Sequence, residues 1–389
     1  MKMQRLAKMF LGATLAVSML AGCTGDNGGA ASTDGGNAGS STTTATSTTS
    51  DSGNTDTAPA PANGTKVGVS MPTKDLQRWN QDGANMESQL KQAGYEVELQ
   101  FAANDVQQQL SQIENMISNG CDVLVIAAIE GSSLGEALDM AKGAGIPVIA
   151  YDRLLMNSDA VSYYATFDNY KVGTVQGTYV KDTLDLDNAA GPFNIEFTAG
   201  DPGDNNAGYF FNGAYDVLKG YIDSGKLVVV SGQKTFDEVA TPTWATEVAQ
   251  NRAENILSSY YADGKTNVDV WLCSNDSTAL GVENALAANY NGTYPIITGQ
   301  DCDIQNTKNM IAGKQSMSVF KDTRTLASQV VKMVGQIING ETVDVNDTST
   351  YNNGVITVPS FLCEPVFADA DNYKTILIDS GYYTEDQLK

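Results

Sequence analysis

An acidic and a basic residue stand together after the apolar run at 146–151, where the sequence reads Asp152-Arg153. A carboxylate beside a guanidinium can hold the polar groups of a ligand through several charge-assisted hydrogen bonds. The same pair can also form a salt bridge inside a loop that binds nothing. The pair is a candidate site, and its interpretation depends on which other residues lie near it.

Polar and aromatic side chains follow several other apolar runs. They are Lys74, Arg78, Trp79, Asp204, Asn205, Asn206, Trp244, Asn275, Asp276, Gln300, Asp301 and Lys321. Most of the polar ones offer two or more hydrogen-bonding atoms. A pyranose needs such partners for its hydroxyls, and it needs an aromatic ring for its apolar C–H face. The residue types therefore favour a carbohydrate ligand.

Each of these residues also has a purely structural interpretation. Trp79 and Trp244 can be half-buried helix residues, whereas Trp271 stands inside an apolar run and is expected in the core. Residues 205–206 can cap a helix, because asparagine does this well. Lys321 can belong to a surface ion pair.

Short apolar runs alternate with amphipathic segments from residue 65 onward. The predicted strands cover 66–70, 96–101, 123–128, 146–151, 162–166, 193–198, 227–231, 268–273, 295–298, 316–320 and 355–358. The predicted helices cover 76–93, 105–119, 133–144, a segment after 169, 207–222, 243–260, 277–288, 304–311, 323–338 and 372–379. This alternation is typical of parallel sheets buried on both faces. About a dozen strands exceed one ordinary sheet, so the sequence predicts an α/β fold of two doubly wound lobes. Ligands of such lobes bind at the carboxyl ends of the strands.

The composition argues against several classes of function. A formal net charge of −23 and a pI near 4.2 disfavour binding to nucleic acid or to anionic membranes. The chain has no histidine, which excludes Ser-His and Cys-His nucleophiles and His-ligated metal sites. Without histidine, ligand affinity is expected to stay nearly constant from about pH 6 to pH 8.

The first 63 residues have the pattern of an export and anchoring segment. Residues 1–22 combine a basic start, an apolar core and small residues at the end, as secretory signals do. The sequence LAGC at 20–23 resembles the lipobox of bacterial lipoproteins, in which Cys23 is lipidated. An ordinary signal with a chance cysteine is the alternative. Residues 24–63 are small or polar and are expected to form a flexible tether.

The other four cysteines lack the close spacing of a zinc or redox site. They stand beside apolar runs, where buried free thiols are the common outcome. They are Cys121, Cys273, Cys302 and Cys363.

Several stretches of the sequence are shared with one known family. They read LSQIENMISNG, VIAYDRL, SYYATFDN, GPFNIE, DNNA, VLKGYIDSGKLVVVSGQ, TGQD, FKDTR, NGV and SGYYTEDQLK. Together they resemble the sugar-binding subunits of bacterial ABC importers, which have the type I periplasmic-binding-protein fold, and most of all their xylose-binding and multiple-sugar-binding receptors. The resemblance covers about residues 66–389. It implies two lobes joined by a three-strand hinge, with the sugar clamped between them.

The resemblance also implies residue roles and boundaries. The implied sugar contacts are Arg78, Trp79, Asp152, Arg153, Asn205, Asn206, Trp244, Asp276, Gln300 and Lys321. The chain is expected to cross between the lobes near 166–169, 300–303 and 346–358. The implied domains are a signal peptide at 1–22, Cys23 with its tether at 23–64, a first lobe at 65–167 and 302–346, and a second lobe at 168–301 and 347–389.

The expected function is capture of a monosaccharide such as xylose, glucose, galactose or arabinose and its delivery to the permease subunits of an ABC importer. The chain is expected to act as a monomer outside the cytoplasm, anchored to the cell membrane by lipid, and in the periplasm of a Gram-negative cell. A receptor for chemotaxis or signalling is the alternative. No cofactor, metal or catalysis is expected, since nothing indicates a glycosidase carboxylate pair. A sugar-responsive transcription regulator would need DNA-binding helices and a basic face, which this sequence lacks.

Overall fold

Strands and helices alternate along the computed structural model, which describes residues 64–389. The strands are β1 (Lys66–Met71), β2 (Glu96–Phe101), β3 (Val123–Ile126), β4 (Val148–Tyr151), β5 (Val161–Phe167), β6 (Phe193–Thr198), β7 (Leu227–Val228), β8 (Val270–Cys273), β9 (Ile296–Ile297), β10 (Met317–Phe320), β11 (Ser360–Cys363) and β12 (Val366–Asp369). The helices are α1 (Gln77–Gln92), α2 (Val106–Ser118), α3 (Gly135–Gly143), α4 (Asn169–Thr183), α5 (Asn205–Asp223), α6 (Phe236–Val239), α7 (Thr246–Tyr260), α8 (Asp276–Asn289), α9 (Ile304–Ile311) and α10 (Thr323–Asn339).

The first sheet has the order β11-β5-β4-β3-β1-β2, and all of its strands run parallel. Alternate residues of β3 serve two different cores: Val123 and Val125 pack in one, and Leu124 and Ile126 in the other. Helices cover both faces, which explains why these strands are apolar throughout rather than alternating. The predicted parallel α/β architecture with two lobes is confirmed.

The second sheet begins with the parallel order β7-β6-β8-β9. β10 lies beside β9, because the amide of Val319 donates to the carbonyl of Gly299 at 2.9 Å and Gln300 forms a parallel bridge with Val319. β12 then pairs with β10 in antiparallel orientation. A mostly parallel sheet with one antiparallel edge strand results.

The chain passes between the two sheets at three points. β5 is followed by α4, which packs on α5 of the second lobe. β10 is followed by α10, which packs on α1 of the first lobe, and β11 of the first sheet is followed by β12 of the second. The crossings lie at residue 168, at 321–322 and at 364–365.

This topology corrects two of the expected crossings and the lobe assignments that depend on them. The expected crossing at 300–303 is wrong because α9 and β10 stay with the second lobe, so only part of 302–346 belongs to the first. The expected crossing at 346–358 is wrong because β11, inside the range 347–389, pairs with β5 of the first sheet. The crossing expected at 166–169 agrees with the structure.

The expected strand at 355–358 is a turn. The side-chain oxygen of Asn353 accepts from the amides of Val355 and Ile356 at 3.1 and 3.0 Å, and Gly354 has a φ of 92°. These bonds close a tight turn whose only pairing within residues 64–389 is one antiparallel bridge between Asn352 and Thr357, so the apolar residues there pack without forming a strand. The helix expected at 372–379 is a π-helical turn, Lys374–Asp379.

The helix expected at 243–260 begins later than predicted. Thr243 and Trp244 both have a φ of 56° and form a 3₁₀ turn, Pro242–Trp244, ahead of α7. Left-handed backbone at two bulky residues is costly and cannot continue an α-helix. This turn places Trp244 over Gly200, where a Cβ atom would lie 1.9 Å from the indole.

Four helices begin with an aspartate whose carboxylate accepts backbone amides of the first turn. They are α2, α4, α5 and α10, capped by Asp105, Asp168, Asp204 and Asp322. Cys121, Cys273, Cys302 and Cys363 are buried free thiols, as predicted. Within 64–389 no helix is long and apolar enough to cross a bilayer. The predicted signal, Cys23 and most of the tether lie outside the described residues.

Candidate functional site

A cavity opens where the carboxyl ends of strands from both sheets face each other. Its lining residues follow β1, β4, β6, β8, β9 and β10, as expected for α/β lobes. They are Leu76, Arg78, Trp79, Asp152, Arg153, Asp204, Phe210, Trp244, Asn275, Ser277, Gln300, Asp301, Asp303 and Lys321. Seven of the ten predicted contacts lie among them: Arg78, Trp79, Asp152, Arg153, Trp244, Gln300 and Lys321.

Arg78, in the first turn of α1, joins three carboxylates. Its guanidinium lies 3.0 Å from Asp82, 2.5 Å from Asp152 and 3.1 Å from Asp301. Burial disfavours its charge, yet the three carboxylates raise the pKa of Arg78 well above its usual value. Burial likewise opposes ionisation of Asp152, but Arg78 and Lys321 hold the pKa of its carboxyl below the usual value. Both groups are therefore charged at neutral pH.

The backbone of Asp152 is held in a strained conformation by three donors. Its φ is 57°, in the left-handed region. Its carbonyl oxygen accepts from Tyr164 Oη at 2.7 Å, Thr166 Oγ1 at 2.9 Å and Asn206 Nδ2 at 2.5 Å. Asn206 therefore supports the position of Asp152 from the second lobe and does not line the cavity. Such an over-determined outlier is typical of a binding site.

Arg153 is fixed by both lobes and by an aromatic ring. Its Nη1 donates to the carbonyls of Ala128 and Ile129 at 3.0 and 3.1 Å, and its Nε lies 3.1 Å from Asp204 Oδ2. Its guanidinium stands 5.0 Å from the ring centroid of Trp79, a cation–π distance. Arg153 is a preoriented donor at the boundary of the two lobes.

Asp204 and Trp244 form part of the opposite wall. One oxygen of Asp204 caps α5 through the amide of Asn206 at 3.0 Å, and the other accepts from Trp244 Nε1 at 3.2 Å. Burial raises the pKa of Asp204, and Arg153 opposes this shift. Trp244 is buried against Phe210 with a centroid distance of 6.2 Å. Its indole nitrogen is occupied, which leaves ring faces to contact a ligand.

The loop 300–303, after β9, carries further polar groups. Asp301 has a φ of 99° and its Oδ1 lies 3.1 Å from both Arg78 Nη1 and Lys321 Nζ. Gln300 donates to the carbonyl of Ser274 at 3.0 Å, whereas its oxygen has no partner among the described residues. One oxygen of Asp303 is likewise buried without a partner there.

Asp276 and Asn205 do not line the cavity, contrary to prediction. The carboxylate of Asp276 is buried behind it and accepts from Gln315 and Ser318 at 2.8 Å each, and from the amide of Asp303 at 2.8 Å. It connects α8 to β10 and to the loop 300–303, which is a structural role. Asn205 is the half-buried first residue of α5.

Two carboxyls at the cavity titrate near neutrality. Burial raises the pKa of Asp82 to about 6, against the opposing effect of Arg78, and burial together with Asp301 raises that of Asp303 to about 7. The absence of histidine therefore does not remove titratable groups from this pH range, and the nearly constant affinity expected between pH 6 and 8 stays a prediction.

Half of the lining residues are not among the ten predicted sugar contacts. Asp204, Asn275 and Asp301 were candidates because they follow strands directly, and the structure brings them into the cavity. Leu76, Phe210, Ser277 and Asp303 were not candidates. Asp303 stands two residues after Asp301 in the same strand-end loop, so its position was a sequence signal by which it could have been predicted to line the site.

Comparison with known proteins supports the same interpretation. Residues 67–342 match the family model described as "Periplasmic binding protein domain". The chain is 50% identical to the multiple sugar-binding periplasmic receptor ChvE of Rhizobium radiobacter over 83% of this chain and 92% of that protein. It is 35% identical to the D-xylose-binding periplasmic protein of Escherichia coli K12 over 85% of this chain and 94% of that protein.

Solved structures agree with these relatives. An ABC transporter solute binding protein from Clostridium phytofermentans with bound β-D-glucose is 71% identical and superposes with a TM-score of 0.82 over 83% of this chain and all of that one. A carbohydrate transporter solute binding protein from Chloroflexus aurantiacus in complex with D-glucose is 36% identical, with a TM-score of 0.76 over 82% of this chain and 97% of that one. The chain therefore belongs to the periplasmic-binding-protein family, as its sequence stretches and its two-lobed fold indicate.

Proposed function

We propose that this protein captures a monosaccharide outside the cytoplasm and delivers it to an ABC-type importer. The observation that carries the proposal is the cavity between two lobes, lined by three cations, four carboxylates, two amides and two tryptophans. Charged and amide groups offer the paired donors and acceptors that sugar hydroxyls require, and indoles offer apolar faces. The two glucose-bound relatives and the xylose-binding relative support an aldose as the ligand.

We assign the sugar contacts as follows. Arg78, Asp152 and Arg153 bind hydroxyls or the ring oxygen from the first lobe, and Gln300 and Lys321 bind from the second. Trp79 and Trp244 pack on the sugar, and each is already buried in a wall of the cavity. Asp204 and Asp301 join this set because they line the cavity, whereas Asn206 acts by holding the carbonyl of Asp152.

The remaining parts of the proposal rest on the sequence and on the relatives. Lipidation of Cys23 would tether the protein to the membrane through residues 24–63, and the permease subunits of the importer would take up the released sugar. We propose a first lobe at 65–167 and 323–363 and a second lobe at 168–322 and 364–389, and a monomeric receptor. We also propose that no catalytic step occurs, because every role assigned to a lining residue holds the ligand unchanged.

A thermal-shift panel tests the binding function. Xylose, glucose, galactose, arabinose and ribose are added in turn, and at least one should raise Tm, because a ligand that binds only the folded state stabilises it. Sorbitol, an acyclic polyol, serves as the matched control and should give no shift. Unchanged Tm with every aldose at millimolar concentration would overturn the proposal.

Uptake measurements test delivery to the importer. A strain lacking this protein should lose uptake of the labelled sugar, and the wild-type chain should restore it. Asp152→Ala should not restore it. Normal uptake in the deletion strain, together with lost attraction to the sugar, would instead favour the role in chemotaxis.

A further inference from the structure

The partly buried Asp303 behaves differently from the other aspartates that begin helices. Asp105, Asp168, Asp204 and Asp322 each direct a carboxylate oxygen to an amide of their own helix. Asp303 is the residue before α9, and its side chain makes no such bond. An aspartate at this position normally caps its helix, and that bond stabilises the first turn.

A residue of the first lobe bonds the first amide of α9. The amide of Ile304, the first residue of α9, donates to Gln77 Oε1 at 3.1 Å. Gln77 belongs to α1 and is itself held by the hydroxyl of Tyr383, which lies 2.8 Å from its Nε2. This amide is therefore satisfied from the other lobe, and the carboxylate of Asp303, which bonds no amide of its own helix, is free of a local role.

The released carboxylate lines the cavity instead. Asp303 is among the lining residues, and its Oδ1 is buried without a hydrogen-bond partner in the described part of the chain. A buried acceptor without a donor destabilises the unliganded cavity. A ligand that supplies a donor at this point recovers that free energy.

The charges around the cavity determine which donor fits best. The lining has four carboxylates but three cations, a formal charge of −1. Each cation already lies within 3.1 Å of a carboxylate other than Asp303: Arg78 at Asp152, Arg153 at Asp204, and Lys321 at Asp301. Asp303 is the lining carboxyl that none of these ion pairs includes, and a cationic donor beside it would favour its ionised form.

We propose that Asp303 is a specificity-determining residue of this cavity, which accepts a hydrogen bond from the ligand and selects a hexose carrying a protonated amino group at the facing position. The inference rests on the proposed monosaccharide-binding function. A carboxylate–ammonium hydrogen bond is roughly twice as strong as a neutral one. The chemical class indicated is therefore amino sugars alongside neutral aldoses.

Calorimetry on two variants tests this selection. The probes are D-glucose and its amino-deoxy analogues substituted at carbons 2, 3, 4 and 6, each measured at pH 7. The wild-type protein should bind one analogue at least as tightly as glucose. Asp303→Asn should weaken that analogue at least tenfold and glucose less than threefold, because the amide keeps the shape and a hydrogen-bonding oxygen but removes the charge.

Asp139→Asn is the matched control, since it removes the same charge from an exposed residue of α3. It should leave all affinities unchanged, and equal Tm values would show that the variants are folded. Identical ratios of analogue to glucose in wild type and Asp303→Asn would overturn the inference and leave the proposed function intact. Wild-type protein that binds neither glucose nor any analogue would overturn both.

Discussion

The two walls of the cavity differ in how completely their polar groups are bonded. On the first-lobe wall (Arg78, Trp79, Asp152 and Arg153), Arg78 joins three carboxylates and the carbonyl of Asp152 accepts three hydrogen bonds. On the second-lobe wall, the loop 300–303 has acceptors at Gln300 and Asp303 that find no partner among residues 64–389. A wall whose charged groups hold one another in place is preorganised and lowers the entropic cost of binding. A wall with free acceptors distinguishes ligands, because a ligand without the matching donor leaves them unsatisfied.

The largest effect should come from breaking the first-lobe wall. Arg78→Ala leaves Asp82, Asp152 and Asp301 without their shared cation, and loss of one member of a buried ion pair costs about 3–5 kcal/mol. The free energy of unfolding, measured by urea denaturation, should fall by about that amount, and sugar binding should be lost. Lys142→Ala is the control, because its ion pair with Asp159 is exposed on both sides and contributes less than about 1 kcal/mol. An equal fall in the free energy of unfolding in both variants would show that the buried ion pairs of Arg78 contribute no more than the exposed pair of Lys142.

A steric change tests the support of Trp244. Gly200→Ala would place a Cβ atom 1.9 Å from the indole, so Trp244 must move. Overpacking of this kind costs about 1–3 kcal/mol, and a sugar that packs on Trp244 should bind at least tenfold more weakly by calorimetry. Gly220→Ala is the control, because no atom lies within 4 Å of the Cβ added at this position of α5. It should leave both stability and affinity close to those of wild type. Unchanged affinity in Gly200→Ala would remove Trp244 from the site.

The dependence of stability on pH tests the second-lobe wall. The folded-state pKa of Asp303 is about 7, above the unfolded value of about 3.9, so the folded state binds more protons between these values. Stability should therefore fall as pH rises through this window. Asp303→Asn should remove part of that slope. The free energy of unfolding of the variant minus that of wild type should therefore be about 1–2 kcal/mol larger at pH 8 than at pH 5. Chemical denaturation at both pH values measures this, and parallel curves for the two proteins would refute the assigned pKa.

The smallest effect should come from a residue that supports the first-lobe wall from outside. Asn206→Ala removes one of the three donors to the carbonyl of Asp152, a contribution of about 1 kcal/mol. Sugar affinity should fall roughly five- to tenfold, with a smaller change in Tm. Asn205→Ala is the neighbouring control and should have no effect, since Asn205 does not line the cavity. A larger loss at Asn205 would reverse the two assignments.

The alternation of strands and helices made the fold and the strand-end position of the site predictable. Asp152 and Arg153 were found because each stands directly after a long apolar run. Asp276 follows a strand just as they do, yet its carboxylate lies behind the cavity, because sequence spacing does not tell which way a strand-end side chain points. The left-handed turn at Trp244 was missed because Thr243 and Trp244 adopt a positive φ that their residue types do not indicate.

The lobe boundaries were less predictable for a related reason. β11 has four residues, and its place beside β5 depends on pairing across nearly two hundred positions of the chain. Local pattern carries no information about such distant partners, whereas the apolar segment 355–358 looked like a strand and was converted into a turn by Asn353. Short strands with distant partners are the elements that sequence reasoning reads least well.

The pairing of β11 with β5 also determines when this protein can finish folding. During synthesis the ribosome delivers β1 to β5 first, yet the edge of β5 stays open until Ser360–Cys363 has emerged, long after β5 itself. Contacts of such high contact order form slowly, and an open strand edge can pair with other chains in the meantime. The nascent first lobe therefore exposes the edge of β5 until β11 arrives, and a chain that ends before residue 360 keeps that edge exposed permanently.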